Sequence, residues 1–309
     1  MILMYHSVAT SEAAGWIDPS NHVAPCRFAQ QLEFLARSRH VISLSALVEH
    51  LKRDTPLAPG TVVLTFDDGY LDNLTVAAPL LARWRLPATL FLTTAYIARG
   101  APQWIDSLYS AFRARTRHQL VLSGSSPVVW QLQSPRSRLE AYRALADRLL
   151  VADAQRRAQL LAEVWEQLRP AAAPPRLTLT WGDVRTLRRD YPLWDFGVHT
   201  AEHLDLSTHV GPAARADLDR SRAEVGQELG TPPQHFSYPY SRATAEARRL
   251  VVECGFRSAV LWDRPELVRH GADPHALPRT QPPRSLGLFR FVTSGAYPDL
   301  PRALFGRPR

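Results

Sequence analysis

Apolar residues fall into short blocks with two alternating periods. Met1-Ile2-Leu3-Met4, Thr61-Val62-Val63-Leu64-Thr65-Phe66 and Thr89-Leu90-Phe91-Leu92 are almost uninterrupted, the pattern of strands covered on both faces. Between them, Phe28-Gln31-Leu32-Phe34-Leu35 and Ala46-Leu47-Val48-Glu49-His50-Leu51 carry helical spacing. The first strand ends at Tyr5-His6-Ser7, and residues 9–25 read as a surface loop. Val41-Ile42-Ser43-Leu44 reads as a short strand, with Ser45 capping the helix after it. A helix follows over 72–84, with Pro79 as a kink or a late start. The proline of Pro87 opens the next strand, where no ladder donor is lost.

Residues 100–175 break the alternation. They are rich in Arg, Ala, Leu, Glu and Gln with helical spacing, as in Leu139-Tyr142-Leu145-Leu149, and predict a helical insertion. The core pattern resumes at Leu177. Thr180 is placed to cap a helix with Asp183 three residues on. Strands are then expected at Asp195–Val198, Phe236–Pro239, Ser258–Trp262 and Leu277–Arg279, with helices over 212–229 and 243–254. A Pro- and Arg-rich tail from 281 wraps the outside or frays. Strand-helix alternation argues for parallel pairing, and the strand count predicts a distorted (β/α) barrel of about seven strands, one α/β domain over 1–309.

Composition changes this picture little. Hydrophobic residues make up 45% and charged residues 21%, ordinary for a folded chain. The net charge is +8, but Lys52 is the sole lysine and arginine is spread along the whole chain, so no basic run points to nucleic acid. Cys26 and Cys254 do not make a disulfide framework. Met1-Ile2-Leu3-Met4-Tyr5-His6 lacks the features of a signal peptide, and no stretch approaches the roughly 20 apolar residues that span a bilayer. The expectation is a protein that is cytoplasmic or peripheral to a membrane. Oligomeric state is not legible.

The chemistry concentrates in two stretches. Asp67-Asp68-Gly69 ends the run 61–66, and a glycine there can turn the backbone so that both carboxylates face one cavity. Two such acids repel unless a cation or proton separates them. The competing reading is an Asp-Gly turn closing a hairpin. His199 and His203 are four apart, and on one helical turn both imidazoles face the same way; a solvated surface pair is the alternative. Together, the acids and histidines supply the two-nitrogen, one-oxygen set that leaves a position for water on zinc.

Thr65-Phe66-Asp67-Asp68-Gly69, His199-Thr200-Ala201-Glu202-His203 and Phe236-Ser237-Tyr238-Pro239-Tyr240 resemble, in order, three motifs of the polysaccharide deacetylases of carbohydrate esterase family 4. The likeness runs from Met1 to about Arg279. It implies hydrolysis of N-acetyl groups on an N-acetylhexosamine-containing glycan, with Zn2+ or a similar ion such as Co2+ or Ni2+ as cofactor. It implies that Asp67 is the general base and that Asp68, His199 and His203 hold the metal. A backbone N–H near Tyr240 would stabilise the oxyanion, and Arg279 would orient the base, with a structural salt bridge as its alternative. Tyr238 and Tyr240 read in any case as sugar-wall residues, with core aromatics as the alternative. The family's C-terminal Leu-x-x-His motif has no counterpart, since residues 281–309 contain no histidine. His6, which in one family branch closes the first strand near the metal, takes the place of the acid, ahead of His270 and His275. The same machinery on a non-sugar amide or cyclic imide, or a non-catalytic glycan-binding protein, are the alternatives.

Overall fold

The computed structural model of the protein describes residues 1–122, 128–262 and 267–295. Its strands in chain order are β1 (Ile2–Tyr5), β2 (His40–Val41), β3 (Thr61–Phe66), β4 (Ala88–Leu92), β5 (Gln119–Leu122), β6 (Val128–Gln131), β7 (Trp194–Val198), β8 (His235–Ser237), β9 (Ser258–Leu261) and β10 (Leu277–Thr280). β1, β3, β4, β7, β8, β9 and β10 pair side by side in parallel, and β10 returns to β1 to close a seven-stranded barrel. β2 pairs only with Thr61 and Val62, ahead of the stretch that β1 covers. It is shorter than the expected strand at 41–44 because Ser43 already turns the chain into the helix Leu44–Lys52. The Ser43 hydroxyl accepts from the Ala46 N–H, so Ser43 is the cap and not Ser45.

Alternation along the strands separates two cores. Leu3, Tyr5, Val62, Leu64, Phe66, Leu90, Leu92, Phe196, Phe236 and Leu261 pack outward against the helices. Phe28 from the helix Pro25–Ser38 meets both Tyr5 and Phe66 edge-on, at ring distances of 5.1 and 5.9 Å. Ile2, Val63, Phe91, Val260 and Leu277 form a second cluster with Leu44, Leu47 and Val48, so the helix Leu44–Lys52 plugs the N-terminal end of the barrel. Farther along the same strands the clustered residues turn polar: Thr65, Ser237 and Arg279 are all buried.

Pro79 falls in the first turn of the helix Ala78–Arg83, preceded by a wider π-type turn at Asn73–Ala77, so the break expected at this proline is present. Thr180 and Asp183 form a reciprocal capping box. The insertion contains the helices Trp104–Ala114, Pro135–Leu150 and Ala154–Leu168 around its own cluster, including Leu108, Phe112, Leu145, Leu149, Leu160 and Val164. It also contains an antiparallel hairpin, β5 with β6, where helices alone were expected. Leu120 and Leu122 are buried between more exposed Gln119 and Val121, a period-two signal too short to stand out among helical neighbours. The start of the tail docks: Phe289 and Val292 of the helix Leu286–Val292 are buried in the main core. The remainder of that tail, 296–309, lies outside the described residues. Among the described residues no helix is long and apolar enough to cross a membrane.

Gly197 is held close to its neighbours in the barrel. A Cβ there would lie 2.5 Å from Phe91 Cδ1 and 2.7 Å from the His235 carbonyl oxygen. Gly197→Ala is therefore expected to destabilise the fold by about 1–3 kcal/mol, measured as a lower urea midpoint with an unchanged m-value.

Candidate metal and catalytic site

β3 carries Asp67 and Asp68 to the C-terminal end of the barrel, and the next two residues explain how adjacent acids come to share one cavity. Asp68 and Gly69 both adopt positive φ, 75° and 80°, which reverses the alternation expected of a strand. A side chain at 69 would meet Ile97 Cδ1 at 2.7 Å, so only glycine fits. The Asp68 carbonyl accepts from Thr93 Oγ1 at 2.8 Å and Gln103 Nε2 at 3.3 Å, which pins the turn. The turn closes no hairpin, because β3 pairs with β4 in parallel.

Asp67 is 2% exposed and Arg279 1% exposed. Their pairing is bidentate: Nη1 donates to Oδ1 at 2.7 Å and Nη2 to Oδ2 at 2.6 Å. Ser237 Oγ accepts from Arg279 Nη2 at 2.8 Å and donates to Asp67 Oδ2 at 3.3 Å. Burial alone would raise the Asp67 pKa, but Arg279 and then His199 outweigh it and hold the carboxylate well below its ordinary range.

Asp68, His199 and His203 bring one ligand atom each within 4.8 Å of one another. His199 Nε2 lies 3.7 Å and His203 Nε2 3.5 Å from Asp68 Oδ1. His199 Nδ1 is 2.7 Å from the Ser237 carbonyl oxygen, to which it must donate, and that fixes Nε2 as the lone-pair nitrogen facing Asp68. Burial lowers both imidazole pKa values, favouring the neutral form that a metal requires. Burial, then Asp67 and Asp106, push the Asp68 carboxyl well up. Its Oδ1 is buried with no hydrogen-bond partner among the described residues. An orphaned carboxylate oxygen facing two neutral imidazole nitrogens fits a divalent transition metal, with zinc suited to this donor set.

The two histidines are not on a helical turn, contrary to the expectation from their spacing. Residues 199–204 form an irregular loop in which Thr200 and His203 take φ of 61° and 52°. Thr200 Oγ1 accepts from the Leu204 N–H at 2.8 Å, and Asp217 Oδ1 accepts from the Ala201 N–H at 2.8 Å. These side chains supply the bonds a helix would have made internally, so the loop can aim both rings at Asp68.

Tyr240 also sits at φ 56°. Its ring meets His203 edge-on at 4.5 Å, and its hydroxyl accepts from Trp104 Nε1 at 2.9 Å. Tyr238 does not wall the site. It is fully buried against Phe236, with its hydroxyl bonded to the His275 carbonyl, because alternation from Ser237 sends its neighbours outward. His6 is partly exposed at the end of β1. Burial lowers its imidazole to about 4, with Asp67 opposing and Arg279 and His199 adding to the depression. His275 bonds the Phe256 carbonyl ahead of β9, and His270 pairs with Asp54 ahead of β3, so both lie toward the opposite end of the barrel. Sequence reasoning gave no role to Ser237, Gln103, Trp104 or Arg157. Only Ser237 carried a signal, as the inward residue of the third motif. A polar groove of about 630 Å³ in the insertion is lined by Arg117, Gln131 and Glu166 among others, and by none of these site residues.

The seven-stranded parallel barrel thus gathers two buried acids at one end, one clamped by arginine and one facing a histidine pair that could hold a metal ion. A profile of the polysaccharide deacetylase family matches residues 54–126 and 140–259, and the chain belongs to that family. No curated protein matches it in sequence. Among solved structures it is similar to IcaB from Ammonifex degensii, with TM-score 0.60 and 17% identity over 96% of this chain and 95% of that one. The Streptococcus pyogenes deacetylase PplD, determined with acetate, has TM-score 0.58 and 16% identity over 91% of this chain and 90% of that one. The BpsB deacetylase domain from Bordetella bronchiseptica has TM-score 0.52 and 17% identity over 91% and 94%. At these identities the structural likeness speaks for the fold.

The ion pair inside the barrel gives a test of its own. Asp67→Ala leaves a buried guanidinium unpaired and is expected to cost about 3–5 kcal/mol, whereas Asp67→Ala with Arg279→Met should cost less than the single change. Chemical denaturation of the three proteins reads this coupling directly.

Proposed function

We propose that the protein is a metal-dependent hydrolase that removes N-acetyl groups from an N-acetylhexosamine-containing glycan. The observation that carries this reading is the division of the acid pair. Asp67 is held ionised by Arg279, while Asp68 faces the His199 and His203 nitrogens with an oxygen that has no other partner. One acid is thus free to act as a base while its neighbour ligates.

When bound, a divalent metal supplies Lewis acidity and brings the pKa of water to roughly 7. Asp67 takes the proton of the attacking water, with Arg279 and Ser237 holding both its oxygens in place. As in the resembled family, the backbone N–H at Tyr240 would donate to the oxygen of the tetrahedral adduct, worth about 3 kcal/mol for one such donor. His6 delivers the proton to the departing amine. Its depressed pKa makes it neutral at rest, so the proton it hands over must be taken up during turnover. The substrate class rests on family membership, and the names of two similar structures support deacetylation.

Acetate release from N-acetylglucosamine oligomers by zinc-loaded protein tests the reading. Wild type is expected to release acetate. Asp67→Asn should keep its zinc and lose turnover, and Asp68→Ala should lose zinc. His6→Gln should keep zinc and lose about 10²-fold in kcat, the lower end for a general acid. Hydrolysis of cyclic imides with none of the oligomers would overturn the substrate assignment. Wild type free of metal yet active would overturn the metal.

A further inference from the structure

The insertion reaches the site with three buried side chains, and each touches a different one of its loops. Gln103, Trp104 and Arg157 are 3%, 6% and 3% exposed. Gln103 Nε2 donates to the Asp68 carbonyl at 3.3 Å and to Thr93 Oγ1 at 2.7 Å, and Thr93 holds the same carbonyl. Trp104 Nε1 donates to the Tyr240 hydroxyl, and Tyr240 stacks edge-on against His203. Arg157 Nη1 donates to the carbonyl of Glu202, the residue before His203, at 3.3 Å. Its other donors reach the Leu149 and Ala152 carbonyls at 3.0 Å, at the turn between two insertion helices. Its guanidinium lies 5.4 Å from the Trp104 ring centroid, so Arg157 and Trp104 brace each other.

A guanidinium this buried is costly unless every donor is used, and its donors here are divided between the insertion and the loop before His203. That loop and the Tyr240 turn contain Thr200, His203, Tyr240 and Ser241, all at positive φ. Backbone of this kind persists only where surrounding groups over-determine it. Arg99 adds a second hold on the same loop, pairing with the Glu202 carboxylate through two 2.9 Å bonds, but it acts from the outside and is half exposed. Arg157 and Trp104 act from within.

We propose that the insertion is the positioning frame of the metal site: Arg157 and Trp104 set His203 and Tyr240, Gln103 sets Asp68, and the affinity for the metal depends on them. These are positioning residues, since each acts through a ligand's backbone or its neighbour. The proposal rests on the metal reading given above.

The test is calorimetric titration of zinc chloride into metal-stripped wild type, Trp104→Phe, Arg157→Lys and Trp165→Phe, with thermal unfolding of the metal-free proteins alongside. Trp165 is the control. Its Nε1 donates to the Ser107 carbonyl at 3.2 Å inside the insertion. Trp165→Phe thus removes an indole bond of the same kind with no link to a site loop. Trp104→Phe and Arg157→Lys are expected to weaken zinc binding about 10-fold or more, as groups behind metal ligands usually do, while Trp165→Phe stays within about twofold. The idea is overturned if Trp104→Phe and Arg157→Lys bind zinc like wild type, or if Trp165→Phe loses as much affinity as they do. Should Arg157→Lys fail to fold, Trp104→Phe decides alone, because it removes one donor and little volume. Wild type that binds no zinc would overturn the metal assignment itself, and this inference with it.

Discussion

Two neighbouring carboxylates buried at the end of one strand cannot both stay charged without countercharge, and much of the molecule is arranged around that constraint. At a few ångströms in a poorly polarisable interior their repulsion amounts to several kcal/mol. The barrel answers each acid separately. Arg279, brought by the last strand, neutralises Asp67 through two bonds; the loop after β7 aims two imidazole nitrogens at Asp68, a group that could hold a cation. Closure of the ring is what makes this possible. β10 pairs with β1 at Ile2 and Arg279, and β1 pairs with β3, so the guanidinium enters the barrel two strands away from the one that leads Asp67 in.

The second cost is conformational. Asp68, Thr200, His203, Tyr240 and Ser241 all sit in left-handed backbone, at about 1–3 kcal/mol each for residues that carry a Cβ. Such strain is tolerable on a scaffold whose inner and outer cores are both closely packed. Ile2, Val63, Phe91, Val260 and Leu277 fill the lower barrel under a helical plug, which leaves the upper end free to be polar. The strained loops are further tied by Asp217, Thr93, Gln103, Trp104 and Arg157, and the last three of these come from outside the barrel proper. A site of this kind is stable as an assembly; its loops do not hold their shape alone.

Much of this was legible in the chain. Near-continuous apolar runs marked the barrel strands, and their order with intervening helices predicted the barrel. The acid pair and the histidine pair could be singled out because residue type and spacing are local properties: a strand period, a glycine after two acids and a proline at a strand start act within a few residues. Arg279 was singled out only through the family resemblance. The tertiary structure decided the rest. The i,i+4 spacing of His199 and His203 suggested a helical turn, but side chains from 217 and 200 hold it as a loop. Tyr238 looked like a site aromatic, yet the pleat of β8 turns it into the outer core and leaves Ser237 to touch the acid. The β5–β6 hairpin was masked by helical composition on either side. The parts played by Trp104 and Arg157 had no local signature, since a tryptophan and an arginine in a helix-rich insertion look alike wherever they point. Which distant segments meet is set by how whole faces pack across more than a hundred residues, and no short window of sequence records that.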